Sequence, residues 1–465
     1  MFLTYKHNPL HKSMIILGFS MLFFTSCKKF LDKKAVSSFN TPTDLQDLQE
    51  ILDYAPIMNE RLTPSFGESS ADVYFLLQSD YDRLSSRDQK VYIWVPADYD
   101  YQNDWSESYA GVYNANYCLE TINGISLNAE NEAQWKNVKG SALFYRAHNF
   151  LNLLWNYSKA YDEATSGTDL GIALRTSSDF NQPSIRSSVA EGYSKIISDI
   201  KESLQFLPAT PIHKYRPSRP AAFALLARAY LSMRKYDSAF KYSDLTLQMQ
   251  NSLIDYKNSS DPDIAFPFSS TSPPFVRFNR ETIFYSEMNT LSPLLSANRA
   301  RIDSNLYLSY ESNDFRKSAF FRINGSYQRF KGSYTANGGT FFTGIATDEV
   351  FLMRAECYAR SGNRAAALND LNTLLSKRYN SSFVPVNTPD NNTTLDRILL
   401  ERRKELLFRG LRWMDIKRLN KEGANIILKR YINGQNYLLQ PNANYYALPL
   451  PSDIVNMTGM AQNPV

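Results

Sequence analysis

The chain has 465 residues, with 51 basic and 46 acidic side chains and a formal charge of +5. No run of five or six like charges occurs, so the charge pattern of a nucleic-acid-binding protein is missing. Only four histidines are present, and no Cys/His pair has metal-ligand spacing, which argues against a zinc site or a histidine triad. We therefore expect no metal, no cofactor and no nucleic-acid partner.

The N-terminal segment has the pattern of a secretory leader. Two lysines precede an apolar run over 14–24, which is shorter than the roughly 20 apolar residues that span a bilayer. Cys27 follows directly after Thr-Ser, and this arrangement resembles a bacterial lipobox, where the cysteine is acylated. We predict a lipoprotein signal peptide over 1–26, lipidation of Cys27 and a single membrane-anchored domain over 27–465. An ordinary cleaved signal with a chance cysteine is the alternative.

The rest of the chain is dominated by the 3.6-residue periodicity of amphipathic helices. Clear β alternation is scarce, so the sequence predicts a mostly α fold. The predicted helices lie near 42–54, 104–123, 130–160, 187–206, 219–233, 236–250, 347–360, 364–378 and 394–420.

Two of the predicted helical hairpins share a residue pattern. Each has a large apolar, a small and an aromatic residue on its first helix, and a small residue on its second. The members are Phe223, Ala227, Tyr230 and Ala239 in one hairpin and Phe351, Ala355, Tyr358 and Ala367 in the other. This pattern is typical of tetratricopeptide-like hairpins, in which alanine lets the helices approach closely.

Two helix-poor segments, 55–103 and 252–346, interrupt the helices. Loops on a rigid scaffold often carry binding groups, and aromatic rings can cover the apolar face of a sugar. We therefore predict ligand contacts from aromatic side chains in both segments. The candidates are Tyr81, Trp94, Tyr99 and Tyr101 in the first segment and Phe275 and Tyr327 in the second.

Each of these segments also admits a structural interpretation. Tyr92 and Trp94 alternate as in a short strand, which would turn Trp94 inward, and the aromatic residues of 252–346 would equally fill a small satellite core. Arg322 and Arg329 lie in the same segment. Their guanidinium groups would suit a uronic acid, a sulfated sugar or a peptide carboxylate.

The two cysteines beyond the leader are Cys118 and Cys357. An extracytoplasmic location permits a disulfide between them. Both lie within apolar helical patterns, so we favour two separate buried thiols.

The most specific motif lies near the C-terminus. Residues 401–418 read ERRKELLFRGLRWMDIKR, and residues 348–356 read DEVFLMRAE. Together with Leu-Pro-Leu-Pro at 448–451 and CKKFLD from Cys27, these motifs closely resemble the SusD/RagB family of outer-membrane lipoproteins. Arg409 stands where that family often has Glu.

The resemblance implies a mostly helical fold, with tetratricopeptide-like hairpins packed against an irregular, loop-rich ligand-binding half. It also implies a lipid-anchored protein on the outer face of the outer membrane of Bacteroidetes. There it would cap a SusC-like TonB-dependent transporter and capture a glycan or a peptide, with glycan favoured. A tetratricopeptide-like scaffold for envelope proteins and a lipoprotein glycoside hydrolase are the alternatives.

Acidic residues within the C-terminal motif also permit an enzymatic interpretation. Glu401 and Glu405 are one helical turn apart, as paired acid–base carboxylates can be. However, Glu405 with Arg409 and Asp415 with Arg418 have the spacing of ordinary helix ion pairs. We therefore predict a structural helix and no catalytic residue.

Overall fold

The computed structural model describes residues 42, 44–60, 62–99 and 101–464. The predicted signal peptide and Cys27 lie outside the described residues. Asp44–Val465 forms one compact unit. The single domain over 27–465 extends beyond this unit and stays a prediction.

The described part of the chain contains seventeen α-helices and ten short strands. The helices are α1 (Leu45–Asp53), α2 (Ala55–Met58), α3 (Phe66–Ser70), α4 (Gln78–Tyr81), α5 (Ser86–Tyr92), α6 (Asp104–Ile122), α7 (Glu132–Tyr157), α8 (Val189–Ser203), α9 (Arg219–Ser232), α10 (Tyr236–Met249), α11 (Ser304–Leu308), α12 (Arg316–Ala319), α13 (Thr347–Arg360), α14 (Arg364–Leu375), α15 (Asn391–Glu405), α16 (Arg412–Asn420) and α17 (Ser452–Thr458). The strands are β1 (Tyr74–Phe75), β2 (Leu170–Ala173), β3 (Arg186–Ser188), β4 (Thr282–Phe284), β5 (Arg301–Ile302), β6 (Phe321–Asn324), β7 (Tyr327–Phe330), β8 (Ile345–Ala346), β9 (Leu428–Ile432) and β10 (Gln435–Leu439).

The long helix α7 lies at the centre of the helical scaffold. Its C-terminal two thirds are buried on every side, which is typical of a helix packed between others rather than on a surface. The neighbouring helices α6 and α8 both begin with a capping box, formed by Asn103 with Ser106 and by Ser188 with Glu191. These caps fix where each helix starts, and the cap of α6 also fixes the end of the loop that precedes it.

The two predicted tetratricopeptide-like hairpins are confirmed as α9–α10 and α13–α14. Ala227, Ala239, Ala355 and Ala367 are all fully buried, as close packing of the paired helices requires. The hairpins also pack against each other through α10 and α13. The scaffold therefore has the helical architecture that the repeat pattern predicts.

The prediction of one helix over 394–420 is wrong. The chain forms α15 and α16 instead, with a break between Glu405 and Arg412. Phe408 and Gly410 adopt positive φ angles of 54° and 72° there, which a continuing α-helix cannot contain. The apolar pattern continues through the break and so hides it from a periodicity argument.

The helix-poor segments are better ordered than the sequence suggests. The segment 55–103 contains the four short helices α2–α5, and 252–346 contains five short strands with α11 and α12. All sheets of the described residues are antiparallel pairs of strands, and β1 pairs with β5 so that the two segments join. In the β6–β7 hairpin, Arg322 lies opposite Arg329 and Asn324 opposite Tyr327.

A buried network of charges joins the C-terminal motif to the rest of the fold. Arg316 donates to Glu401 at 2.6 Å and to Glu405 at 2.9 Å, while Arg378 donates to Glu405 at 2.7 Å and to Glu281 at 2.8 Å. All five side chains are fully buried. The predicted structural role of this helix is therefore supported by its contacts.

The two ion pairs predicted within the motif have different outcomes. Arg418 donates to Asp415 at 2.8 Å, which confirms the predicted pair of these two residues. The pair of Glu405 with Arg409 is wrong, because α15 ends at Glu405 and Arg409 turns toward Asp348.

Cys118 and Cys357 are buried free thiols, as the sequence favours. Burial raises the pKa of the Cys118 thiol to about 12. No helix among the described residues is both long and apolar enough to cross a membrane. The same residues contain no cluster of His, Cys, Asp and Glu that would hold a metal ion.

Candidate ligand-binding site

The two helix-poor segments meet at the start of α6. The Asp104 carboxylate accepts the backbone N–H of Phe66 at 2.7 Å and the side-chain amide of Asn289. Ser69 donates to Ser292 at 2.7 Å and holds the same loop against α3. Burial raises the pKa of Asp104 to about 6, and its hydrogen bonds oppose that rise. The loop over 289–298 is therefore fixed to the helical scaffold.

A groove of about 390 Å³ lies between this loop and the β6–β7 hairpin. Its lining includes Asn298, Arg322, Arg329 and Phe341. We call it the arginine groove. Because side chains alternate along a strand, the opposed pairs Arg322–Arg329 and Asn324–Tyr327 point to the same side of the hairpin.

Contacts with Asn298 hold this side of the hairpin against the loop. Arg329 donates through Nη1 to Asn298 Oδ1 at 2.5 Å, and the Asn324 amide donates to the Asn298 carbonyl at 3.3 Å. The Tyr327 ring meets Phe75 edge-on with centroids 5.0 Å apart. Since Tyr327 remains 37% exposed, part of its ring is free to contact a ligand.

The arginine groove is strongly cationic. Among the described residues, neither Arg322 nor Arg329 has a carboxylate within 4.0 Å, in contrast to most arginines of the chain. Burial lowers the pKa of Arg329, and the neighbouring charge of Arg322 lowers it further. The same two causes lower the pKa of Lys331, the cation that directly follows β7, to about 8. The local field therefore favours an anion.

Trp94 does not line this groove. Its side chain is buried, which contradicts the prediction that it contacts a ligand. The residue follows α5 with a φ of 59° and turns its ring inward, leaving 7% exposed. Its indole Nε1 donates to the Ser70 carbonyl at 3.0 Å, and the Arg430 guanidinium lies 5.3 Å from its ring centroid. Both the polar edge and a ring face are thus occupied by the protein.

Tyr81 and Tyr99 are also core residues rather than ligand contacts. The Tyr81 ring packs 5.8 Å from that of Tyr92, and the Tyr99 ring packs 4.6 Å from that of Phe66. Their residual exposures of 6% and 3% leave no ring face for a sugar. Short helices in 55–103 enclose these rings, which the sequence alone does not indicate.

Phe275 is fully buried, which contradicts the prediction that it contacts a ligand. Its ring centroid lies 5.1 Å from that of Tyr256, 5.2 Å from that of Tyr334 and 6.1 Å from that of Phe268. This is the satellite core that the sequence offered as an alternative for 252–346.

Tyr101 and Tyr327 are the exposed members of the predicted set. Tyr101 is 75% exposed in the loop that enters α6. The adjacent residues Gln102 and Asn103 line a small pocket together with Leu291, which belongs to the loop over 289–298. Tyr101 and Tyr327 therefore belong to two segments that each adjoin the loop over 289–298.

Two larger clefts lie elsewhere on the protein. One of about 780 Å³ contains Tyr113 and Phe180, whose rings stack 5.0 Å apart and are both exposed. Tyr113 lies in α6, and no sequence signal identifies its partner Phe180. The other cleft, of about 660 Å³, lies at the hairpin turns, where Glu356 and Glu422 neutralise Arg360.

Comparisons with known proteins agree on one family. Residues 29–231 match a SusD-like sequence family described as starch-binding and associating with the outer membrane, and residues 311–465 match the SusD family. The SusD-like protein P2 of Formosa agariphila is 23% identical over 423 residues, which cover 77% of this chain and 79% of that protein.

Solved structures share the fold over nearly the whole chain. A SusD superfamily protein from Bacteroides thetaiotaomicron has a TM-score of 0.73 at 20% identity, covering 90% of this chain and 100% of its own. A laminarin-binding SusD-like protein has a TM-score of 0.62 at 18% identity, covering 92% of this chain and 100% of its own. At these identities the similarity establishes the common fold.

Proposed function

Because this chain belongs to the SusD/RagB family, as its C-terminal motif predicts, we propose that it is a non-catalytic nutrient-binding lipoprotein of the outer membrane. It binds a glycan and delivers it to a SusC-like TonB-dependent transporter. Lipidated Cys27 anchors it, with the body of the protein facing the cell exterior. The observation that carries the proposal is the arginine groove with the exposed ring of Tyr327 beside it.

The groove and the adjoining face of the hairpin have the side chains that sugar recognition needs. A tyrosine ring covers the apolar C–H face of a sugar, and amide and guanidinium groups bond its hydroxyl oxygens. Tyr327, Asn324 and Arg329 offer these groups on one side of a short hairpin. A volume of about 390 Å³ lies within the range of small-ligand sites, which supports binding of a few sugar units at a time.

The groove lacks the groups for glycoside hydrolysis. Such enzymes use two carboxyl groups on either side of the scissile bond. The described residues that line the groove include no Asp or Glu. Glu401 and Glu405, the acids with suitable spacing in the sequence, are buried against Arg316. These observations favour capture of a ligand without chemistry.

Binding of a glycan and peptide panel to the purified protein tests this function. Tyr327→Ala is the informative variant, and Tyr431→Ala on β9 is its matched control because Tyr431 is also exposed. Saturable binding to one glycan class, without product release, that is weakened by Tyr327→Ala and retained by Tyr431→Ala supports the proposal. Silence across all glycans, or release of shorter products, contradicts it.

A further inference from the structure

Arg322 and Arg329 form a like-charge pair across the β6–β7 hairpin. Side chains directly opposite one another in an antiparallel pair have Cβ atoms about 4.5–5.5 Å apart, and like charges there are destabilising. No carboxylate of the described residues lies within 4.0 Å of either guanidinium. The hairpin therefore holds two uncompensated positive charges side by side at a groove.

This absence of a counter-ion contrasts with three fully buried arginines of the charge networks around the C-terminal motif. Arg316 contacts three carboxylates, Arg378 contacts two, and Arg418 contacts two. Arg322 and Arg329 have no such carboxylate, and the two positive charges lie next to each other. A bound anion would supply the missing charge.

The two guanidinium groups are positioned by the protein but not saturated. Arg322 donates through Nη1 to the Thr271 carbonyl at 2.8 Å, and Arg329 donates through Nη1 to Asn298 at 2.5 Å. The Nε atoms of both side chains are buried without an acceptor among the described residues. A guanidinium offers five N–H donors, so each arginine retains donors for a ligand.

We propose that Arg322 and Arg329 bind the oxyanion of an acidic glycan, either the carboxylate of a uronic acid or a sulfate ester. This inference rests on the proposed glycan-binding function and specifies its substrate class. Guanidinium groups match planar and tetrahedral oxyanions through paired N–H donors, which an ammonium group cannot reproduce. Tyr327, on the same side of the hairpin, contacts the sugar ring that carries the anion.

Matched ligands test the charge requirement directly. Polygalacturonate is compared with its methyl-esterified form, and a sulfated carrageenan with its desulfated form, by calorimetry on the purified protein. The proposal predicts that one acidic polymer binds about tenfold or more tightly than its neutralised form. It also predicts that this preference declines as salt is raised, since ions screen the charges. The two polymer pairs distinguish a carboxylate from a sulfate.

Variants of Arg322 and Arg329 test whether the preference for an acidic glycan depends on the hairpin. The double variant Arg322→Gln/Arg329→Gln should lose the preference for the acidic form. Arg219→Gln, at an exposed arginine of the helical scaffold, should retain it. The double variant to lysine keeps both charges but not the paired donors, and should bind between wild type and the glutamine variant. Circular dichroism on each variant confirms that the fold is intact.

The outcomes separate this inference from the proposed function. Equal binding to acidic and neutral forms, lost on Tyr327→Ala, overturns the anion proposal and leaves the glycan-binding function standing. An acidic preference that survives the glutamine double variant also overturns it, because the anion then binds elsewhere. No binding to any glycan contradicts both the inference and the function on which it rests.

Discussion

Arg409 donates through Nη2 to the carboxylate of Asp348 at 3.0 Å, and this contact joins the two most specific motifs of the sequence. The Arg409 guanidinium also contacts the rings of Tyr334 and Phe342, 4.3 Å and 4.8 Å from their centroids. Arg409 thus has an acidic partner in α13.

Removing Asp348 should destabilise the protein strongly. In Asp348→Ala, the Arg409 charge stays buried without its partner, which typically costs about 3–5 kcal/mol. Urea denaturation of the wild type and the variant measures this loss in the free energy of unfolding. Glu132→Ala is the control. Glu132 pairs with Lys136 on the surface, where their side chains are 51% and 41% exposed, so this substitution should change the free energy of unfolding by less than about 1 kcal/mol. Equal effects of the two substitutions would contradict the assigned role of Asp348.

Lys417 should make stability rise with pH above neutrality. Burial lowers its pKa from 10.5 to about 7, and its amino group donates to the carbonyls of Trp155 at 2.6 Å and Ser158 at 2.5 Å. Between these pH values the unfolded chain binds the proton that the folded protein lacks, so the free energy of unfolding increases with pH. The slope is at most about 1.4 kcal/mol per pH unit.

Urea denaturation from pH 7 to pH 10 measures this slope. In Lys417→Met, the free energy of unfolding should rise less steeply with pH. The loss of the two hydrogen bonds should also shift this free energy at every pH. Parallel curves for the wild type and the variant would rule out this lysine as the source.

Glu68 should make the stability of the protein fall as pH rises, in a lower pH range than that of Lys417. Burial, together with the nearby charge of Asp72, raises its pKa from 4.5 to about 8. Between these values the folded protein holds a proton that the unfolded chain releases, so stability falls as pH rises from about 4.5 to 8. Glu68→Gln keeps the shape of the neutral acid and should flatten this part of the curve. An unchanged slope in the variant would exclude Glu68 as the titrating group.

Trp94 should affect stability rather than binding. Trp94→Ala removes a buried ring and its hydrogen bond to Ser70, and such core truncations cost about 3–5 kcal/mol. Thermal unfolding and ligand titration on the same sample separate the two effects. Weaker binding with unchanged stability would restore Trp94 as a ligand contact.

The helical scaffold was predictable because its signals are local. Periodic apolar residues place α13 at 347–360, where the structure has it, and buried alanines identify both hairpins. The break after α15 was missed because Leu406, Leu407 and Leu411 continue the helical pattern. The positive φ angles of Phe408 and Gly410 reveal it in the structure.

The candidate site was only partly predictable, because it depends on contacts between distant segments. Asn289 and Asp104 are 185 residues apart, and Arg322 and its acceptor Thr271 are 51 apart. Phe275 and Tyr327 occur in similar Gly- and Pro-rich surroundings, yet the first is enclosed and the second exposed. Exposure is decided by which loop folds over which ring, and no local pattern encodes that.

Hydrogen–deuterium exchange with and without a saturating bound glycan tests the central claim most directly. The account predicts slowed exchange in the β6–β7 hairpin and in the loop over 289–298, which together form the arginine groove. Protection confined instead to the cleft of Tyr113 and Phe180 would contradict it and move the ligand to that aromatic pair.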